Sequence, residues 1–224
     1  MTSELFDMIA ADYDAWYESE LGRTIDGVER DLVSRLFLPS GPKILEVGCG
    51  TGQYTTWLVN KGFKVTAVDV SNEMIRRAQA KILGLEKEVE WINADIVSLY
   101  SSLGMYDGIL SITAFEFIHD PEKVLANLFN HIVVGGCLVV GIIAGESSWS
   151  DFYERNFKND PNSVFSQATF YTEEEIRSWR VGGRLEIGEG LYFSPLIKSI
   201  SQAIDIENKQ SGKPGFLMAK WVKE

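Results

Sequence analysis

The sequence predicts an α/β fold built on a parallel sheet, and three observations predict it. Strand-like runs alternate with helix-like segments from Lys43 to about Ala144, the order that crossover helices between parallel strands produce. The strands are short and rich in β-branched or aliphatic residues, as buried strands are. The first ends in a glycine cluster, while Asp69 and Asp95 close the next two.

The elements follow in order. Residues 3–37 form one or two helices, with Phe6, Ile9, Tyr13, Trp16 and Tyr17 clustered on them. Lys43-Ile44-Leu45-Glu46-Val47 is the first strand, and a helix carrying Trp57 and Leu58 follows Gly48-Cys49-Gly50-Thr51-Gly52 and stops at Gly62. Lys64 to Asp69 is the second strand. Ser71 caps a helix with Met74, Ile75, Ala78 and Ile82 at helical spacing. Glu88 to Ile92 and Tyr106 to Ile112 are the third and fourth strands. Asp120-Pro121-Glu122 opens a helix with proline in its first turn. Gly135-Gly136 turns the chain into a fifth strand, Cys137 to Ile143. The stretch after Gly145 is irregular and aromatic as far as Tyr171, where Thr172-Glu173-Glu174-Glu175 carries a capping signal. Strands near Arg184 to Phe193 and Phe216 to Val222, with a helix around Leu196 to Ile206 between them, complete the sheet.

A chain of 224 residues can enclose one ample core but not two ordinary catalytic domains. The expectation is a single domain over 1–224, with a helical N-terminal lid over 1–40 and an aromatic insertion over 145–171 on the substrate side. Apolar residues at 45% and charged residues at 24% are the balance of a globular chain. A formal charge of -11 repels a phosphate backbone, so no nucleic acid is expected as partner. Two distant cysteines and no leader-like start point to the cytoplasm, and no apolar run approaches the roughly 20 residues of a membrane span.

In an open α/β sheet, ligands bind beyond the carboxyl ends of the strands. Glycines at 48, 50 and 52 let a ligand approach the backbone and the start of the next helix, which suits a carboxylate or a phosphate. Asp69, at the end of the neighbouring strand, can accept hydrogen bonds from the vicinal hydroxyls of a ribose. A nucleoside is therefore implied. Gln53 stands where a dinucleotide fingerprint would carry its third glycine, which argues against a nicotinamide cofactor.

These residues resemble those of the class I S-adenosylmethionine-dependent methyltransferases, through Leu45-Glu46-Val47-Gly48-Cys49-Gly50-Thr51-Gly52, then Val68-Asp69-Val70-Ser71-Asn72-Glu73-Met74, then Asn93-Ala94-Asp95. The likeness is closest to the small-molecule branch acting in ubiquinone and menaquinone synthesis, where an opening like Tyr13-Asp14-Ala15-Trp16-Tyr17 precedes the core. It implies a Rossmann-like, mostly parallel seven-stranded sheet flanked by helices. It also implies S-adenosylmethionine as cofactor, with its methionine part against Glu46, Gly48, Gly50 and Gly52, and its ribose on Asp69. Adenine would lie among Val70, Met74 and Ile96, with Asp95 on its amino group. Ser111 would line the methionine side, and Tyr13 and Tyr17 would close the site.

Alternative roles stand beside these: Met74 as core packing, Glu46 as a strand-end cap, and Cys49 as a small loop filler rather than a nucleophile. No metal site is expected, because no His or Cys pair has ligand spacing. Methyl transfer from a sulfonium depends chiefly on alignment and exclusion of water, so a catalytic triad is not required. If the acceptor must lose a proton, His119, Glu116 and Tyr153 are the candidate bases. The expected partner is a small neutral or cationic methyl acceptor; the sequence does not fix the atom methylated, and oligomeric state is left open. The rival readings are a non-catalytic S-adenosylmethionine-binding partner of another methyltransferase and an NAD-dependent oxidoreductase.

Overall fold

The computed structural model describes residues 3–224, so the first two positions of the expected N-terminal lid lie outside the described residues. Strands β1 (Lys43–Val47), β2 (Lys64–Asp69), β3 (Val89–Asn93), β4 (Tyr106–Ile112), β5 (Ile132–Ile143), β6 (Arg184–Gly190) and β7 (Phe216–Val222) form one sheet. Their order is β3-β2-β1-β4-β5-β7-β6. β1 to β5 pair in parallel, while β7 runs antiparallel to both β5 and β6. This is the Rossmann-like, mostly parallel seven-stranded sheet that the resemblance implied, with β7 as its one reversed strand. The direction of connection reverses beside β1, between β2 and β4, and that reversal opens the crevice of the fold.

The alternation of side chains in the central strands explains the layers. Ile44 and Leu45 point to opposite faces of β1, and both are fully buried because helices cover both faces. Each contributes about 2 kcal/mol by leaving water. α2 (Glu20–Leu36) and α3 (Gln53–Asn60) cover one face, joined by α8 (Ile200–Lys209) against α2. α5 (Pro121–Asn130) covers the other, and α4 (Asn72–Lys81) packs on β2 and β3. α1 (Ser3–Glu18) leaves the sheet alone and packs on α2 and α4.

Local chemistry sets the boundaries. The Ser71 hydroxyl accepts a hydrogen bond from the Met74 N–H and starts α4. Thr172 and Glu175 form a reciprocal capping box at the start of α7 (Glu173–Ser178). Two expectations are corrected. The span from Gly145 to Tyr171 is not irregular: it contains α6 (Ser148–Phe157), whose capping box uses Ser147 and Ser150, with Trp149, Phe152, Tyr153 and Phe157 at helical spacing. β5 begins at Ile132 rather than Cys137, because Ile132 already pairs with Tyr106 and the register then shifts before Gly108. Gly136 lies in that irregular stretch since a Cβ there would stand 2.7 Å from the Asp107 carbonyl oxygen. Smaller differences are β6 ending at Gly190 and α8 running Ile200–Lys209.

Candidate functional site

The site lies where β1, β2, β3 and β4 end. After Val47 the chain turns so that the N–H groups of Gly48 and Cys49 both donate to the Val68 carbonyl, at 2.8 and 3.1 Å. Gly50 has φ +51°, a left-handed backbone, and no protein atom lies within 4 Å of where its Cβ would be. The backbone there borders open space. Gly52 serves packing instead, since a Cβ there would lie 2.8 Å from that of Ala78, and its absence lets α3 close onto α4. No side chain caps α3, which leaves its first turn free to receive an anionic group.

Asp69 ties the loop to the neighbouring strand. Its Oδ2 accepts from the Gly50 N–H and its Oδ1 from the Ser71 N–H, each at 2.8 Å. A carboxylate offers about four lone-pair positions, so roughly two remain for sugar hydroxyls. Burial raises the Asp69 carboxyl above its ordinary value, against the pull of those backbone hydrogen bonds. Gly48, Gly50, Asp69, Val70, Met74, Asp95, Ile96 and Tyr13 all line one cleft. Asp95 stands at its exposed edge, where Oδ1 accepts from the Val97 N–H at 3.0 Å. Phe6, Thr113 and Phe117 complete the walls opposite.

A second hollow adjoins the glycine loop and is lined by Glu46, Tyr13, Tyr17, Thr51 and Gln53. Glu46 is 3% exposed and accepts from the Thr55 hydroxyl at 2.6 Å; burial pushes its carboxyl up to about 8. Ser111 and Gly52 line none of these hollows among the described residues. The Ser111 hydroxyl donates instead to the Val47 carbonyl at 2.7 Å, fastening β4 to the end of β1. Thr113, two residues further on, lines both hollows and has φ +50°, a conformation costly for a branched residue.

A third cavity, about 490 Å³, opens between α1, α6 and the segment after β4. Glu116 and Tyr153 line it; His119 is exposed and lies outside its lining. Glu116 is 1% exposed, its Oε1 accepts from the Ile143 N–H at 2.8 Å, and burial pushes it up to about 7. Glu29, reaching in from α2, is pushed up to about 8, chiefly by burial and then by the Asp26 charge. Burial also raises Tyr153 and, to about 12, Tyr13. Sequence reasoning missed Glu29, Thr113 and Phe117. The reach of α2 into a hollow roofed by another helix has no local signature. Cys49 is buried with a raised thiol, which makes it a poor nucleophile. Among the described residues no three His, Cys, Asp or Glu side chains gather as a metal site, and no helix is long and apolar enough to cross a membrane.

A family model described as a methyltransferase domain matches residues 44–136. The malonyl-(acyl-carrier protein) O-methyltransferase of Bacillus anthracis is 30% identical over 179 residues, which cover 77% of this chain and 65% of that protein. The chain spans about half to two thirds of the length of this protein and of its namesakes in a Paenibacillus species and Bacillus cereus. An uncharacterized protein of Methanocaldococcus jannaschii is 27% identical, with 95% of this chain and 93% of that one covered. Among solved structures, an S-adenosylmethionine-dependent methyltransferase of Thermotoga maritima, described as a possible histamine N-methyltransferase, superposes with a TM-score of 0.77. It shares 23% identity, and all of both chains is covered. A second, from Archaeoglobus fulgidus, gives 0.68 at 17% identity over 94% of this chain and 99% of that one.

Proposed function

We propose that the chain is a class I S-adenosylmethionine-dependent methyltransferase that transfers a methyl group from S-adenosylmethionine to a small molecule by in-line displacement, a reading supported by the methyltransferase-domain match over 44–136 and by the Bacillus anthracis relative. One observation carries this reading: the cleft at Asp69 and the 490 Å³ aromatic cavity share Phe6, Tyr13, Thr113 and Phe117 as a common wall. Two reactants held in these hollows meet there. The cofactor, when bound, supplies a methyl on a positive sulfur that leaves as a neutral thioether.

The protein's part is binding, orientation and the exclusion of water. Asp69 grips the sugar, Met74 and Ile96 sandwich the base with Val70, and Asp95 takes the base's amino group. The uncapped start of α3 and the Gly50 loop hold the amino-acid end, with Glu46 beneath. α1 and α2 act as the lid, and the insertion at 145–171 forms the acceptor wall. Glu116 takes a proton from an acceptor that must lose one, a role supported by its standing with Tyr153 in the cavity lining. The malonyl acceptor named for the Bacillus relative suits this cavity poorly, since no Lys, Arg or His stands among the described residues lining it.

Calorimetry with S-adenosylmethionine, S-adenosylhomocysteine and NADH on the parent and Asp69→Ala tests the reading. The parent should bind both adenosyl compounds and not NADH, and Asp69→Ala should lose at least tenfold in affinity. NADH binding alone overturns it. Binding without turnover of any small molecule in a broad panel selects the non-catalytic alternative.

A further inference from the structure

We infer that the aromatic cavity beneath α1 recognises an organic ammonium group, which sits against the free oxygen of Glu116. The inference rests on the neighbouring cleft being the donor site and narrows the acceptor to one chemical class.

Three observations converge. Glu116 Oε2 is buried without a hydrogen-bond partner, while its sister oxygen is committed to the Ile143 N–H. A buried oxygen without a partner is destabilising, and the residue that carries it lines a cavity large enough for a drug-sized molecule. Next, the charged groups on that cavity are of one sign. Glu116 follows β4, Glu29 comes from α2, and Asp12 stands at the α1 edge, with no basic side chain among the described lining residues. The nearest guanidinium, Arg30, is already paired with Asp26 at 2.7 Å and lies over the Tyr54 ring. Finally, the rest of the wall is aromatic. Tyr153 stacks on Phe165 with centroids 4.1 Å apart, and Phe117 meets Phe6 edge-on at 5.2 Å.

Aromatic faces with a carboxylate at one end attract a cation and reject an anion. Burial keeps Glu116 and Glu29 reluctant to ionise while the cavity holds no cation, and an ammonium ligand reverses that balance. The other titratable groups facing the pair are Tyr13, Tyr17 and Asp12 on α1, Asp26 on α2, Tyr54 on α3, whose hydroxyl donates to Glu29 Oε2 at 3.4 Å, and Tyr153 on α6. For a primary or secondary amine, the proton passes from nitrogen to Glu116 Oε2. The freed lone pair then forms the new nitrogen–carbon bond as the carbon–sulfur bond breaks, with its electron pair leaving on sulfur.

The test is calorimetry on the full chain saturated with S-adenosylhomocysteine. The probes are 2-phenylethylammonium and benzyltrimethylammonium, the neutral isosteres 2-phenylethanol and neopentylbenzene, and the anion 3-phenylpropanoate. The cations should bind at least tenfold tighter than their isosteres and the anion not at all. Their binding should release protons, read as a dependence of heat on the buffer's ionisation enthalpy. Glu116→Gln, which keeps an oxygen for the Ile143 N–H, should remove most of the preference. Equal binding of the isosteres, or tighter binding of the anion, overturns the inference, and this comparison needs only the parent protein. Because S-adenosylhomocysteine binding is measured first, failure of the donor site is seen separately from failure of the cation site.

Discussion

Asp7 Oδ1 lies 2.6 Å from the Ser71 hydroxyl and 3.2 Å from the Glu73 N–H, so α1 is fastened to the first turn of α4, two residues beyond Asp69. Seven residues on, and so on the same face of α1, Asp14 Oδ1 accepts from the Thr51 hydroxyl at 2.6 Å, Gln53 at 3.1 Å and Lys81 at 2.7 Å. One helix thus bridges the glycine loop and the start of α4 through two carboxylates. Phe6 and Tyr13, each one position before one of these carboxylates, line the cleft.

Removing the second of these attachments should free the helix without unfolding the sheet. Burial opposes ionisation of Asp14, but hydrogen bonds from Lys81 and Thr51 outweigh it and hold the carboxyl below its ordinary value. Partly exposed pairs of this kind contribute about 1 kcal/mol. Asp14→Ala should therefore raise hydrogen exchange across 3–18, leave β1 and β4 protected, and speed the dissociation of S-adenosylmethionine. Unchanged exchange in α1 would show that the helix is held by its apolar contacts alone.

The glycines of the loop should separate by function. Gly50→Ala places a methyl in open space at a left-handed φ, at a cost of about 1–2 kcal/mol, and should weaken donor binding more than stability. Gly52→Ala drives a methyl against Ala78 and should cost a further 1–3 kcal/mol or so from overpacking, read as a lower urea midpoint. If the two variants lose stability and affinity in the same proportion, the division of labour is wrong.

The features legible in the chain are those that local chemistry decides. Ser71, Pro121 and Thr172 announce their helices because caps and first-turn proline act over three or four residues. Asp69 is legible because it ends a strand at a fixed distance from a glycine turn. α6 is hidden although Trp149, Phe152, Tyr153 and Phe157 have helical spacing, because its capping box carries Ser150 where Glu or Gln is the usual signal. Glu29, Asp7 and Thr113 are illegible for a different reason: each acquires its role only when elements distant in sequence meet, as Asp7 does with Ser71 across 64 positions. Ser111 shows the converse, a residue at the expected place whose hydroxyl is turned into the sheet to tie β4 to β1.

The buried acids impose a pH dependence whose sign is unusual for carboxyls. Glu29 and Glu46 are pushed up to about 8 and Glu116 to about 7, from an ordinary 4.5. Above pH 4.5 the unfolded chain gives up these protons while the folded chain keeps them, so unfolding releases protons and stability falls as pH rises. Each group's contribution is full below pH 4.5 and is lost as pH climbs through 7 to 8, with a slope of about 1.4 kcal/mol per pH unit while only the folded form holds the proton. At the acid end Glu73, held down at about 2 by Arg76, acts in the opposite sense, its contribution present above 4.5 and lost as pH falls toward 2. The melting temperature of the ligand-free protein should therefore be highest near pH 5 and decline toward pH 8. Glu116→Gln and Glu46→Gln should each make that decline shallower, Glu46→Gln over the wider pH range. A melting temperature that rises between pH 5.5 and 8 would mean that these carboxyls are ionised in the folded chain.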